Sequence, residues 1–302
     1  MTQELYKLFV DNFPYIIREE KTAKSILQEQ SNKVIEKRDV NGNLIGAVVI
    51  NKNTILLLCV NKEHRNKGIG NELLIEAEKY ISSQGYNEIN IGVGFDYLMP
   101  GVPTNEKVLD EPLEKDNVYD SVDDIAYHFF KKRGYYHSWE DANCFDMCQD
   151  LKDFDKHEHK IGDTIDGITY VWATEKDLEN IIKCTEDACD DFTKYYKDMS
   201  LYEKNSNKRV LLAKDKDQVV GTLMVLIETE AIGVGSVGCT TVKHSYRGKH
   251  IGVNLTILGT SYLKEKGLPK AYLGYTYTGL DRMYGYAGYK ICVYYFMAKK
   301  NI

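Results

Sequence analysis

The sequence predicts an α+β (mixed α/β) protein built from two similar domains in tandem. The length of 302 residues suits two domains of ordinary size better than a single core. A glycine-containing motif near residue 65 recurs in the second half of the chain. Each copy follows an apolar run typical of a strand and precedes an amphipathic run typical of a helix, so each half is expected to combine sheet and helices.

The composition is that of an ordinary globular protein, with 43% hydrophobic and 28% charged residues. The formal net charge of −6 disfavours nucleic acid and anionic membranes as partners, because both require a basic protein surface. The first residues lack the profile of a signal peptide, and no apolar run reaches the length of a membrane span. Seven cysteines without a paired C-x-x-C framework indicate a reducing, cytoplasmic location.

The motif belongs to an internal repeat. Residues 60–70 read VNKEHRNKGIG, and residues 242–252 read VKHSYRGKHIG. Matching positions lie at a constant spacing of 182 residues (242 − 60), and the register holds without gaps to Gly85 and Gly267. A match that keeps glycines at both ends of a helix-like stretch indicates two copies of one strand–turn–helix unit.

A second pair of segments closes each half. FFKKRGYY at 129–136 aligns with MYGYAGYK at 283–290, which places Gly134 opposite Gly288 at a spacing of 154 residues. The smaller spacing means that the first half carries about 28 additional residues (182 − 154) between the two landmarks. We interpret these residues as a loop insertion.

Two hairpins and one charged segment set the expected domain boundaries. Asn41–Gly42 and Asp215–Asp217 are polar turns between apolar runs, so each half should contain an antiparallel hairpin. A polar segment over 151–167 separates the halves. We therefore expect an N-terminal domain over 1–150 and a C-terminal domain over 168–302, joined by this linker.

The repeated turn has the features of an anion site. Backbone N–H groups at the start of a helix have no partner within the helix, and the helix dipole adds partial positive charge there. Gly68 and Gly70 remove side chains that would hold an anion away, and Arg65 and Lys67 add charge at the rim. A plain tight turn would explain one copy nearly as well, but two copies in the same context favour anion binding. Neither copy has the spacing of a Walker phosphate loop or of a dinucleotide fingerprint.

These residues resemble the GNAT superfamily of acyl-CoA-dependent N-acetyltransferases, whose signature is Arg/Gln-x-x-Gly-x-Gly/Ala between a strand and a helix. Residues 65–70 match the signature fully, and residues 247–252 match it in part. The doubled arrangement resembles tandem members such as mycothiol synthase, and the resemblance is strongest over 54–94 and 234–292. It implies two tandem GNAT-like domains, each with a mixed, mostly antiparallel twisted sheet flanked by helices.

The resemblance implies acetyl-CoA as a co-substrate, with its pyrophosphate on the two turns and without a metal. Val60 and Val242, at the ends of their strands, would face the pantetheine arm through backbone groups. The residues implied in cofactor binding are Val60, Arg65, Asn66, Lys67, Gly68, Ile69, Gly70, Asn71, Val242, Arg247, Gly248, Lys249, His250, Ile251 and Gly252.

The resemblance also implies that the acetyl group moves to a primary amine by direct attack, with a tyrosine as general acid to the coenzyme A thiolate. The matching position, four residues before the closing glycine, is Tyr284 in the second half but Phe130, which has no proton to give, in the first. We therefore expect a catalytic C-terminal domain and a cofactor-binding, catalytically degenerate N-terminal domain. His250 replaces a motif glycine, and we expect it to be harmless because the first turn of a helix needs no positive φ.

The general base is less clearly marked. Glu228 and Glu230 share one face at the end of an apolar strand and are the candidate bases, with Asp190 and Asp191 as further candidates. Each of them, taken singly, is better explained as a solvated carboxylate, and the proton could leave through water. The segment His157–His159 has a metal-like composition, but its place in the linker disfavours a metal site.

Two alternatives stay open. Catalysis could lie in the N-terminal domain, whose motif is intact, or the chain could be a non-catalytic acyl-CoA-binding sensor. The acceptor is expected to be a small-molecule amine, since the negative net charge suits a cationic partner, and a peptide terminus is the alternative. We expect a monomer or a homodimer.

Overall fold

The computed structural model describes most of the chain. The described residues are 2–92, 97–105, 124–152, 154, 158–203 and 205–302. Most of the predicted loop insertion falls outside these ranges. The side chains of Thr229 and Glu230 also lie outside the description, although their backbone belongs to a strand.

The described chain forms two compact units. The first unit comprises Met1–Phe145 and Cys292–Ile302, and the second unit comprises Asp146–Ile291. This division differs from the expected domains over 1–150 and 168–302. The physical reason is that the last strand of the chain pairs within the sheet of the first unit, while the expected linker belongs to the second.

Helices and strands follow one another in both units in the order that the repeat predicts. The strands of the described residues are β1 (Lys33–Arg38), β2 (Leu44–Asn51), β3 (Thr54–Val60), β4 (Glu88–Ile91), β5 (Val102–Thr104), β6 (Tyr136–His137), β7 (Cys144–Asp150), β8 (Thr164–Ile165), β9 (Ile168–Trp172), β10 (Lys208–Asp215), β11 (Gln218–Ala231), β12 (Val234–Val242), β13 (Lys270–Tyr277), β14 (Lys290–Phe296) and β15 (Ala298–Asn301). The α-helices are α1 (Thr2–Asn12), α2 (Glu20–Gln28), α3 (Ile69–Ser83), α4 (Ile125–Lys131), α5 (Leu178–Ala188), α6 (Thr193–Tyr196), α7 (Ile251–Glu265) and α8 (Asp281–Gly285). Short 3₁₀ turns cover Lys62–His64, Glu175–Asp177, Asp190–Phe192, Met199–Tyr202 and His244–Tyr246.

The first unit contains a six-stranded mixed sheet in the order β1-β2-β3-β4-β15-β6. β1, β2 and β3 pair antiparallel, β3 and β4 pair in parallel, and β15 pairs antiparallel with both β4 and β6. The expected hairpin turn at Asn41–Gly42 is present. The Asp39 carboxylate stabilises it by accepting hydrogen bonds from the backbone amides of Asn41 and Asn43 at 2.9 and 2.8 Å.

The second unit has the same kind of sheet. Its strands follow the order β7-β13-β12-β11-β10-β9-β8, with β7 represented by its residues from Asp146 onward. β8 to β12 pair antiparallel with their neighbours, and β12 pairs in parallel with β13. The predicted fold class is confirmed, because each unit is a mixed, mostly antiparallel sheet flanked by helices.

The helix that follows each repeated turn packs an apolar face against the sheet. The buried residues of α3 are Leu73, Leu74, Ala77 and Ile81, and those of α7 include Leu255, Leu258, Gly259 and Leu263. Burial of one such leucine contributes about 1.5–3 kcal/mol, so these faces stabilise the packing of both helices on their sheets. A Cβ at Gly259 would lie 2.6 Å from Cδ2 of Leu223, which means that α7 approaches β11 closely at this glycine.

The two parallel strands of the second unit separate along their length. β12 and β13 are paired at Val234–Lys270, Gly235–Ala271 and Ser236–Tyr272. Beyond these pairs β12 continues to Val242 and β13 to Tyr277. No further ladder pairs join these two described strands as they approach the turn that begins α7, and we call this unpaired region the opening between β12 and β13.

A tight backbone crossing fixes the end of β4 in the first unit. Gly92 has a φ of +90°, and a Cβ at this position would lie 2.6 Å from both the Gly101 nitrogen and the Pro100 carbonyl carbon. Gly85 has a similar φ of +85°, but a Cβ there would meet nothing within 4 Å. Substitutions at the two glycines therefore distinguish the energetic cost of a left-handed backbone, which both share, from the cost of a steric clash, which arises only at Gly92.

We expect Gly92→Ala to destabilise the protein more than Gly85→Ala. The Gly85 variant should lose roughly 1 kcal/mol because alanine disfavours a positive φ. The Gly92 variant should lose about 1–3 kcal/mol in addition, since the backbone around residue 100 must shift. Urea denaturation of both variants measures the difference, and equal losses would contradict the crossing.

Candidate active site

Both repeated turns adopt the predicted strand–turn–helix structure. In the first unit β3 ends at Val60, a 3₁₀ turn follows, and α3 begins at Ile69. The corresponding elements of the second unit are β12 ending at Val242 and α7 beginning at Ile251. The first intrahelical hydrogen bonds run from Glu72 N to Gly68 O at 3.0 Å and from Asn254 N to His250 O at 2.9 Å. Both helices therefore begin with the same backbone hydrogen bond after their turns.

Each turn enters the left-handed backbone region twice. In the first unit Asn66 and Gly68 have φ values of 61° and 85°, and in the second unit Gly248 and His250 have values of 76° and 55°. The expectation that His250 needs no positive φ is therefore wrong. The residue caps the helix in left-handed conformation and is not part of the first helical turn. Asparagine and histidine are among the non-glycine residues enriched in this region, so each turn combines one glycine with one of them.

This backbone geometry suits an anion. Left-handed residues that alternate with other conformations turn successive N–H groups toward one side, as in anion-binding nests. The first N–H groups of α3 and α7 have no acceptor within their helices, and the helix dipole adds positive charge. A Cβ at Gly68 or at Gly248 would meet nothing within 4 Å, so this side of each turn is open.

The two motif arginines stabilise the turns from within. Arg65 Nε donates to the Val60 carbonyl at 3.0 Å, and Arg247 Nε donates to the Val242 carbonyl at 3.5 Å. The second arm of Arg65 donates to Asn12 Oδ1 at 2.9 Å. The arginines thus bind the last carbonyl of the preceding strand in both units, in addition to the charge that they bring to the rim.

Arg133 is a cationic residue beside the first turn that the sequence analysis did not include in the site. Arg133 lies with its guanidinium carbon 3.8 Å from the ring centre of Phe129, and its Nε donates to Asn71 Oδ1 at 2.9 Å. Asn71 belongs to the first turn of α3, so Arg133 adds positive charge beside this helix start. The residue of the second half that aligns with Arg133, at the spacing of 154 residues, is Ala287. This loss of a charge between the aligned halves is the feature of the sequence that could have identified Arg133.

The opening between β12 and β13 is shaped by a bulge in β12. Thr222 pairs with Thr241 and Met224 pairs with Gly238, so Cys239 and Thr240 together lie opposite a single residue of β11. Cys239 has a φ of 47°, which is unusual for a residue with a side chain. The bulge brings Thr240 Oγ1 to 3.3 Å from the hydroxyl of Tyr284.

Tyr284 is buried, and its hydroxyl forms a hydrogen bond with Thr240. It lies on α8, only 5% of its surface is exposed, and its ring packs edge-on against Tyr289 at 6.2 Å between ring centres. Burial raises the pKa of Tyr284 to about 12, although the hydrogen bond with Thr240 lowers it. The phenol therefore stays protonated throughout the neutral and mildly alkaline range.

The first unit has apolar groups at the same two places. Phe130 is 4% exposed, and its ring packs edge-on against Tyr135 at 5.1 Å between ring centres. The position that corresponds to Thr240 is Leu58, which pairs with Val48 in regular register. Two hydroxyl groups in the second unit are thus replaced by two hydrocarbon side chains in the first.

Comparison with known families agrees with this geometry. Residues 2–94 match the family described as "Acetyltransferase (GNAT) domain", and residues 176–289 match the one described as "Acetyltransferase (GNAT) family". The chain is a tandem GNAT acetyltransferase. It therefore belongs to a family of enzymes that carry out acyl-CoA-dependent acetyl transfer. No curated protein matches the sequence.

Solved structures with the same fold extend over the whole chain. A GCN5-related glucosamine N-acetyltransferase region of a fungal multi-domain GH3 β-N-acetylglucosaminidase is 19% identical, with a TM-score of 0.70, over 99% of this chain and 36% of that one. A tandem GNAT protein from the clavulanic acid biosynthesis pathway is 13% identical, with a TM-score of 0.67, over 99% and 94%. A GCN5-related N-acetyltransferase from Sphaerobacter thermophilus is 16% identical, with a TM-score of 0.63, over 99% and 91%. At these identities the likeness shows the GNAT fold, and this chain spans about a third of the fungal protein.

The structure does not bring the described candidate base next to the GNAT tyrosine. Glu228 lies near the end of β11, where its Oε1 accepts a hydrogen bond from the Gly233 amide at 2.7 Å. Its neighbour Ile227 pairs with Gly235, and Thr240 lies five residues further along β12, roughly 17 Å away at the rise of a strand. Glu230 stays a prediction, since its side chain is not described.

The remaining candidates are distributed over the surface or buried. Asp190 and Asp191 are exposed in a 3₁₀ turn. Burial raises the pKa of the Cys239 thiol to about 12, so this cysteine is not an activated nucleophile. Of the metal-like segment, His157 lies outside the described residues. Among the described residues, no three His, Cys, Asp or Glu side chains gather as metal ligands. None of the helices in the described ranges is both long and apolar enough to span a bilayer.

We expect His250→Val to destabilise the protein by roughly 1–2 kcal/mol, because a β-branched residue strongly disfavours the left-handed region. The matched control is Lys249→Val, an equally exposed neighbour whose φ is not positive. His250→Gly should be at least as stable as the natural protein. Chemical denaturation distinguishes the three variants, and equal losses in both valine variants would show that the turn does not require this conformation.

Proposed function

We propose that the second unit transfers the acetyl group of acetyl-CoA to a primary amine of a small molecule. The observation that carries the proposal is the Thr240–Tyr284 hydroxyl pair, 3.3 Å apart, at the opening between β12 and β13. A buried phenol beside a splayed strand and an anion-binding turn provides the parts that a thioester with a pyrophosphate requires. The first unit has the turn but not the hydroxyls, which supports a cofactor-binding role without transfer.

The cofactor would bind mainly through the backbone of the second turn. The N–H groups from Gly248 to Ile251 would hold the pyrophosphate, and Lys249 would add charge at the rim. The pantetheine arm would extend along β12 toward Thr240, where the strand has parted from β13, and would pair with the backbone as an added strand does. This path leads the thioester from the turn toward Tyr284.

The reaction forms a C–N bond and breaks the C–S bond. The neutral amine attacks the thioester carbonyl, the sulfur leaves with the electron pair, and the new ammonium loses one proton. Tyr284 would stabilise the departing sulfur with its O–H. Its pKa of about 12 exceeds that of a thiol, about 8.5, so a hydrogen bond to the developing thiolate contributes more than complete proton transfer.

The proton of the amine would leave through water. Glu228 is already bound to the Gly233 amide at the far end of β12, so it is not placed to accept this proton. A water path needs no fixed carboxylate, and Glu230 remains the predicted alternative. Replacement of each glutamate by glutamine would distinguish the two, since only a direct base would shift the acidic limb of the pH profile.

The acceptor class follows from charge and from the relatives. The formal net charge of −6 favours a cationic amine. One structural relative is described as a glucosamine N-acetyltransferase region, which makes amino sugars the first acceptors to test. Polyamines, aminoglycosides and amino-acid conjugates follow, and peptide termini are the alternative. We propose a monomer or a homodimer.

A second candidate function is acyl-CoA binding without transfer. Leu58 and Phe130 support this role for the first unit, and the left-handed His250 supports it for the second. Calorimetry with acetyl-CoA together with an acceptor panel separates the two functions. Tight binding without turnover of any amine would favour the sensor and reject the transferase.

We expect Tyr284→Phe to lower kcat by roughly 10²–10⁴, the usual contribution of a positioned acid, with KM for acetyl-CoA little changed. The matched control is Tyr289→Phe, which removes a hydroxyl of equal burial that bonds to Thr260 at 3.1 Å. Steady-state release of coenzyme A measures both variants. Unchanged turnover in Tyr284→Phe would place the chemistry elsewhere.

We expect kcat/KM to show no loss between pH 7 and 10 from the ionisation of Tyr284. The donor is active when protonated, and burial raises its pKa to about 12, so its alkaline limb lies above this range. Initial rates in overlapping buffers measure the profile. An alkaline limb below pH 10 that disappears in Tyr284→Phe would contradict the assignment.

A further inference from the structure

A line of buried hydroxyl groups lies beside the bulge of β12. Tyr196 donates to the Cys239 carbonyl at 2.6 Å, and Thr222 Oγ1 donates to the Tyr196 hydroxyl at 2.8 Å. The hydroxyls of Thr222 and Thr241 are 2.6 Å apart, and Cys184 Sγ lies 3.9 Å from Thr241 Oγ1. Tyr196 and Thr222 are fully buried, and Thr241 is 3% exposed.

The donors in this line all point the same way. A carbonyl only accepts, so the single proton of Tyr196 must go to Cys239. Thr222 gives its proton to Tyr196, so Thr241 must donate to Thr222, and the thiol of Cys184 is left to donate to Thr241. Hydrogen bonds that run in one direction polarise one another, which strengthens the last one on the Cys239 carbonyl. Burial raises the pKa of Tyr196 well above its usual value, so this donor is not lost by ionisation.

The carbonyl that receives the line belongs to the residue that makes the bulge. Cys239 has a φ of 47°, a conformation that costs about 1–3 kcal/mol for a residue with a side chain and needs support from its surroundings. Tyr196 holds the peptide between Cys239 and Thr240. The plane of this peptide determines where Thr240 points, and therefore whether its hydroxyl meets Tyr284.

The first unit provides the comparison. Thr222 pairs with Thr241 across β11 and β12, and the corresponding pair across β2 and β3 is Ala47 with Cys59. β3 pairs with β2 in regular register from Leu57 to Val60 and has a register shift of its own beside Leu56. The hydroxyl line and the Thr–Tyr pair are therefore absent from these described strands, although a bulge is present.

We propose that Tyr196 is a positioning residue for the acyl-transfer site: it fixes the Cys239 bulge and through it the Thr240 hydroxyl that bonds to Tyr284. The inference rests on the proposed function for its catalytic consequence. Its structural part stands on the bulge alone.

The test compares Tyr196→Phe with Tyr202→Phe. The Tyr202 hydroxyl also donates to a backbone carbonyl, that of Tyr196, at 2.7 Å, but it does not reach β12. The first measurement is the rate at which iodoacetamide alkylates Cys239, resolved by peptide mass spectrometry, with buried Cys148 as the reference for global opening. Tyr196→Phe should raise the Cys239 rate about tenfold relative to Cys148, because the lost hydrogen bond frees the bulge, while Tyr202→Phe should leave it near the natural value.

The second measurement is steady-state transfer to the best amine of the panel. Tyr196→Phe should lower kcat about tenfold and leave KM for acetyl-CoA within about twofold, since the turn that binds the pyrophosphate is untouched. Thr222→Val should reproduce both effects by breaking the line one bond earlier, and Thr222→Ser, which keeps the hydroxyl, should not. The valine variant also serves if Tyr196→Phe fails to fold.

An unchanged rate of Cys239 alkylation in both Tyr196→Phe and Thr222→Val would overturn the inference. A faster rate of Cys239 alkylation without loss of kcat would also overturn it. Equal effects in Tyr202→Phe would also overturn it, because the cause would then be general loosening. If the natural protein acetylates no amine, the proposed function fails, and the alkylation rates still decide whether Tyr196 holds the bulge.

Discussion

The left-handed backbone at two positions of each turn is the constraint on which the candidate site depends. It reverses the chain between strand and helix and directs successive N–H groups to one side, so anion binding does not require particular side chains. Asn66 and Gly68 meet this constraint in the first unit, and Gly248 and His250 meet it in the second. Because the backbone presents the donors, the motif arginine is available to hold the last carbonyl of the preceding strand.

On this shared frame the two units differ by a few buried groups. Hydrocarbon side chains occupy these places in the first unit: Leu58 is half-buried and Phe130 is buried, and apolar burial is favourable without further partners. Hydroxyl groups in the same region of the second unit are costly to bury unless each one is hydrogen-bonded. The line from Thr241 to the Cys239 carbonyl meets that requirement, so the polar interior and the reactive geometry support each other.

The sequence predicted the features that depend on local order. Hydrophobic periodicity and the positions of glycines and polar turns sufficed to predict the strands, the turns, the helices that follow them and the GNAT resemblance. A constant spacing between the two halves placed Tyr284 opposite Phe130. Features that depend on distant contacts were not predictable. Glu228 binds an amide in its own hairpin, the Cys239 bulge needs a tyrosine more than forty residues earlier in the chain, and His250 takes a conformation that residue type alone does not reveal. The expected bounds of 1–150 and 168–302 differ from the two compact units because strand β15 pairs with strands far from it along the chain.

The placement of β15 has a consequence for biosynthesis. This strand, Ala298–Asn301, lies between β4 and β6 in the sheet of the first unit. The N-terminal half of the polypeptide therefore cannot complete its sheet while it emerges from the ribosome, and must wait with two open strand edges until residues 298–301 have been translated. A nascent chain in that condition depends on the second half being made promptly, and a frameshift just before the codons of β15 would damage the half that was synthesised first.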